Sequence, residues 1–159
     1  MCQRHQTAGF SDTKGLLKLK GLHKGKRVVS RQGQKRAQAG NMATESSPLT
    51  THVLDTASGL PAQGLCLRLC RLEAPSQQWM ELRTSYTNLD GRCPGLLTQS
   101  QMKPGTYKLS FDTERYWKER GQESFYPYVE VVFTITKETQ KFHVPLLLSP
   151  WSYTTYRGS

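Results

Sequence analysis

The sequence predicts an all-β domain over residues 44–159, a two-sheet β-sandwich that carries one short helix. Apolar residues recur at every second position in several short runs, and turn-forming residues separate those runs at short intervals. A third observation narrows the class, because one segment alone has the capping residues of a helix.

In chain order, the first run is Leu49-Thr50-Thr51-His52-Val53-Leu54-Asp55, where His52 opposes Val53 and shares a face with Thr50. Ser58-Gly59-Leu60-Pro61 then reads as a turn. Leu65, Leu67 and Leu69 line one face of the next strand, with Cys66, Arg68 and Cys70 opposite. Asp90-Gly91 and Lys103-Pro104-Gly105 are turn signals, and the plain expectation at Asp90-Gly91 is a hairpin that exposes Arg92. Tyr107, Leu109 and Phe111 repeat the period of two. From Asp112 to Gly121 the chain offers an Asp/Thr N-cap, an acid in the first turn, a basic last turn and a C-terminal glycine. A helix of about two turns is expected there. Val129, Val131, Phe133 and Ile135 form the next strand, and Lys137-Glu138-Thr139 ends it. Lys141 to Pro150 and a strand-like aromatic run, Trp151 to Tyr156, close the domain.

Charge is unevenly spread. Residues 1–41 hold ten of the 22 Lys and Arg but only Asp12 of the 12 acids, a net of +9. The rest has 12 basic and 11 acidic residues, so the chain's +10 is the charge of a tail and makes no case for nucleic acid as a partner. Residues 1–43 are expected to form a disordered basic extension, because their Lys, Arg, Gln and Gly bury too little surface to offset ordering. Met42 offers an alternative start, and an acid-poor basic leader also suits organelle targeting. Arg31-Gln32 with Gln38-Ala39 loosely matches an N-terminal peroxisomal address, although Lys35 and Arg36 break its inner positions. No apolar stretch reaches the length of a signal-peptide core or a membrane span, so no membrane partner is expected. Cys66 and Cys70 would lie roughly 13 Å apart along one strand, too far to pair or to share a metal. Reduced packing thiols are the expectation for the cysteines.

Two histidines, His52 and His143, fall within the domain. Each alone reads first as a hydrogen-bonded structural residue of a strand. However, His143 stands between Phe142 and Val144, so its imidazole points away from them, and neither histidine need face a core. An imidazole titrating near pH 6.5 suits proton transfer. Arg92 would present paired donors that lysine cannot reproduce. Arg157 is either a second such group or the partner of the Ser159 carboxylate. Gly158 permits a turn or a close approach, and Ser159 carries a hydroxyl. There is no Gly-x-Ser-x-Gly elbow, phosphate-binding loop or His-Glu-x-x-His, and the histidine spacing matches no structural zinc pattern. No metal is assigned and no cofactor is expected.

Four blocks taken together, Leu49–Asp55, Asn88-Leu89-Asp90-Gly91-Arg92, Lys141–Pro150 and the terminal Tyr156-Arg157-Gly158-Ser159, resemble the transthyretin-like 5-hydroxyisourate hydrolases. The resemblance spans roughly Thr44 to Ser159. It implies a transthyretin-like (prealbumin-like) sandwich and hydrolysis of 5-hydroxyisourate to 2-oxo-4-hydroxy-4-carboxy-5-ureidoimidazoline in urate breakdown, within purine metabolism. It implies catalytic roles for His52, Arg92, His143 and Ser159, with His52, Arg92, Tyr156, Arg157 and Gly158 holding substrate. Which histidine is the base stays open. It implies a homotetramer, a dimer of dimers, and a peroxisomal setting with the cytosol as alternative. The aromatic surplus at Trp151, Tyr153 and Tyr156 with Leu146-Leu147-Leu148 would suit such an assembly. The alternative is a transthyretin-like carrier of thyroid hormone or another aromatic ligand, which lacks the terminal tetrapeptide.

Overall fold

Two four-stranded sheets face each other in this computed structural model, which describes residues 46–159. The expected extension over residues 1–43, with its Met42 start, lies outside the described residues. The first sheet is built from β1 (Leu49–Asp55), β2 (Leu60–Pro61), β7 (Phe142–Leu148) and β8 (Tyr153–Thr155), in the order β2-β1-β7-β8. The second holds β3 (Cys66–Glu73), β4 (Gln78–Tyr86), β5 (Gly105–Phe111) and β6 (Val129–Ile135), in the order β4-β3-β5-β6. Every pairing is antiparallel except that of β1 with β7, which is parallel.

The period of two does what the sequence predicts. Leu67, Leu69, Tyr107, Leu109 and Phe111 are buried between the sheets, and Leu49 and Val53 meet them from β1. Leu146 and Leu148 also go into this core, so of the residues expected in surplus the aromatics Trp151, Tyr153 and Tyr156 remain exposed and Leu147 is half-buried. The turn expected at Ser58–Pro61 is shorter than that, since Leu60 and Pro61 form β2 against the end of β1. The predicted strand through Trp151–Tyr156 shrinks to three residues. Ser149 and Ser152 tie Trp151 into a turn instead, with the Ser152 amide donating to Ser149 Oγ. β4 is almost wholly exposed, which is why no apolar period marks it in the sequence.

The predicted helix is α1 (Thr113–Lys118), six residues long. Asp112 caps it by accepting from the Arg115 amide, and Gly121 follows with φ +69°. Tyr116 then reaches across to Asp55 at the end of β1, its hydroxyl donating to Oδ2 at 3.0 Å. Asp55 Oδ1 accepts from the Ala57 and Ser58 amides, so this buried carboxylate has partners on both oxygens. Burial, then the bond to Asp55, pushes the Tyr116 phenol up to about 12. The helix thereby clamps the end of the strand that carries His52. Cys70, half-buried, and Cys93, buried, are free thiols, as expected for packing cysteines.

Candidate active site

Parallel pairing of β1 with β7 sets Thr50 opposite His143 and His52 opposite Pro145. Side chains opposite one another in adjacent strands share a face. Thr50, His52 and His143 therefore stand on the outer face of the first sheet, half-buried, while Leu49, Thr51 and Val53 point into the sandwich. Thr51 stitches the pair from the inside, its hydroxyl donating to the Val144 carbonyl at 2.7 Å. On the outside, Thr50 Oγ1 lies 2.8 Å from His143 Nδ1.

Arg92 arrives from the other sheet's long loop. The hairpin expected at Asp90-Gly91 does not form, because no strand follows β4 directly and the turn packs against β1 instead. Asn88 organises it: its side-chain oxygen accepts from the Asp90 and Arg92 amides, both at 3.0 Å. Gly91 sits at φ +69°, and a Cβ there would collide with the Val53 carbonyl oxygen, so only glycine lets the loop approach this closely. The Val53 amide donates to Gly91 O at 2.8 Å, and Arg92 bridges His52 on β1. The turn residues therefore deliver a guanidinium beside an imidazole.

The C-terminal segment closes the other flank. β8 pairs with β7 from Leu148 to Leu146, and the ladder lapses at Pro145, which has no amide hydrogen. It resumes in the same register where Gly158 bridges His143, the Gly158 amide donating to the His143 carbonyl at 2.9 Å. A Cβ on Gly158 would come within 2.5 Å of His143 Cδ2 and 3.1 Å of Cγ, so glycine is required for the chain to lie against this ring. Arg157 points away from that face, its guanidinium 5.7 Å from the centroid of the buried Phe142 ring. Among the described residues it makes no ion pair with the Ser159 carboxylate. Tyr156 and Arg157 border an apolar cavity of about 390 Å³ at the open edge of the sandwich, beside β6 and β7. Ser159 is exposed, one residue beyond the Gly158 bridge.

Burial and nearby charge both act on His143. Burial lowers the His143 pKa first, and the nearby charges of Arg92 and His52 lower it further. Its imidazole is neutral at pH 7 and able to accept a proton. A ¹⁵N-detected titration should place its midpoint below the ordinary 6.5, and Arg92→Ala should move that midpoint up, because a positive neighbour is removed. An unshifted midpoint in the Arg92 variant would mean that the guanidinium does not face the ring. Among the described residues, no three of His, Cys, Asp and Glu come together as a metal-ligand set. Sequence reasoning missed Thr50 and Asn88. The only signal for Thr50 was its shared face with His52, and for Asn88 its place just before a turn.

A two-sheet sandwich whose outer face carries two histidines and an arginine, flanked by a Tyr-Arg-Gly-Ser terminus, is the architecture of a transthyretin-type domain with polar chemistry on its first sheet. The family model described as HIUase/Transthyretin family matches residues 49–158, and the chain belongs to that family. It is 96% identical over 118 residues to the 5-hydroxyisourate hydrolase of Mus musculus, covering 74% of this chain and 100% of that one. The 5-hydroxyisourate hydrolase of Pseudomonas aeruginosa is 43% identical, covering 70% of this chain and 90% of its own length. Among solved structures, sea bream transthyretin in complex with thyroxine superposes with a TM-score of 0.67 at 35% identity, covering 70% of this chain and 94% of that one.

Proposed function

We infer that this chain hydrolyses 5-hydroxyisourate and that the chemistry is carried by His143, Arg92 and His52 on the outer face of the first sheet. The observation that carries the assignment of roles is the convergence of these three residues beside the close approach of Gly158. His143, neutral at pH 7, takes a proton from water as the water oxygen bonds to a ring carbonyl carbon. The carbonyl electron pair moves to oxygen, where the Arg92 guanidinium stabilises the charge that develops. Collapse breaks the cyclic amide C–N bond, and the proton on His143 passes to the departing nitrogen. His52, beside Arg92, holds the substrate from the β1 side, and Tyr156 and Ser159 border it at the C-terminal flank. The product is 2-oxo-4-hydroxy-4-carboxy-5-ureidoimidazoline, formed in a step of urate degradation, and the family resemblance supports a peroxisomal setting with the cytosol as alternative.

A homotetramer completes the picture. The edges at β6 and β8 lie on one side of the sandwich without strand partners among the described residues, and exposed Trp151, Tyr153 and Tyr156 cluster there. Pairing those edges in a dimer, then stacking dimers over the histidine face, would enclose the site from two subunits. Purified protein should accelerate the loss of freshly generated 5-hydroxyisourate and sediment as a tetramer. If the substrate decays no faster than in buffer, the hydrolase reading fails; full turnover by a monomer would remove the shared site.

A further inference from the structure

One nitrogen of the His143 ring is already engaged within the fold. The Thr50 hydroxyl oxygen lies 2.8 Å from His143 Nδ1. A hydroxyl can donate or accept, so this contact alone suits either tautomer. A nitrogen held by Thr50 cannot also take the water proton, however, so a ring that works as the base must do so through Nε2 and carry its N–H at Nδ1. A neutral imidazole has one N–H, so fixing it on one nitrogen fixes the other as the acceptor.

We propose that Thr50 is a positioning residue, which holds His143 as the Nδ1–H tautomer and thereby leaves Nε2 as the unprotonated atom that takes the proton from water. The proposal rests on the reading of His143 as the base. In proton terms, Nδ1–H donates to Thr50 Oγ1 throughout the cycle. Nε2 gains the water proton as the new C–O bond forms and gives it up to the nitrogen of the breaking C–N bond. Thr50 itself touches neither substrate nor water. The parallel pairing of β1 and β7 supplies the alignment, since it sets these two residues directly opposite each other.

The test uses the full chain with Thr50→Val, which keeps shape and strand preference but loses the hydroxyl, and Thr50→Ser, which keeps the hydroxyl. Thr50→Val should lower kcat by about 10-fold or more, the scale on which metal-bound imidazoles respond to loss of an orienting hydrogen bond, with KM within about twofold. Thr50→Ser should stay within about threefold of the parent. In ¹⁵N spectra of the free protein, His143 should be protonated at Nδ1 in the parent and in Thr50→Ser. In Thr50→Val it should shift toward the Nε2–H form. A parent His143 protonated at Nε2, a Thr50→Val enzyme with unchanged kcat, or a loss in Thr50→Ser equal to that in Thr50→Val would each overturn the proposal. A parent without hydrolase activity would sink the functional reading instead, and the tautomer spectra would still decide the role of Thr50.

Discussion

His143→Asn should lower kcat by roughly 10²–10⁴-fold, the usual contribution of a general base, while the protein folds and assembles as before. The ring is half-buried on the outer face of β7, and its neighbours Phe142 and Val144 supply the core contacts from the opposite side. Asparagine still presents a polar group to Thr50, so the strand pairing survives and the loss falls on proton transfer. The measurement is steady-state turnover alongside the thermal midpoint. A variant within about threefold of the parent would take His143 off the catalytic list. One that melts much earlier would show a structural histidine after all.

The second large effect is expected from one methyl group. Gly158→Ala puts a Cβ within 2.5 Å of the His143 ring, closer than carbon atoms approach, so either the ring or the C-terminal segment must move. The hydrogen bond that the Gly158 amide donates to the His143 carbonyl holds the segment in place, which leaves the imidazole as the softer partner. Displacing a catalytic group by about 1 Å can cost on the order of 100-fold, and that is the expected loss in kcat. The core lies elsewhere, so the thermal midpoint should change little. Gly158→Ala with parental turnover would mean that the segment lifts away freely and that its contact with His143 is dispensable.

Much of this fold was legible because its strands bury one face each. Leu67 and Leu69, or Tyr107, Leu109 and Phe111, cannot be read in another register without turning the core outward. β4 escaped because neither of its faces is buried, and β2 because two residues carry no period. The site residues His52, Arg92, His143 and Gly158 could be named from their motifs, but their arrangement could not. Thr50 and His143 lie 93 residues apart, and only the parallel pairing of β1 with β7 makes them neighbours. The turn at Asp90-Gly91 was recognised for its conformation and misjudged for its destination, since local chemistry fixes φ but not the strand a loop will meet. Arg157 shows the same limit: a guanidinium two residues from Ser159 faces the Phe142 ring rather than the carboxylate.

The β1–β7 pairing also sets when the site can exist. It joins the first strand of the domain to the last but one, so its loop closure spans most of the domain and contributes little until the intervening strands are in place. A nascent chain still lacking β7 has His52 and Arg92 but nothing for them to face. A half-folded sandwich likewise offers no weak version of the site. Turnover is consequently a report on the domain's entire topology: a molecule that reacts has already joined its first strand to its seventh.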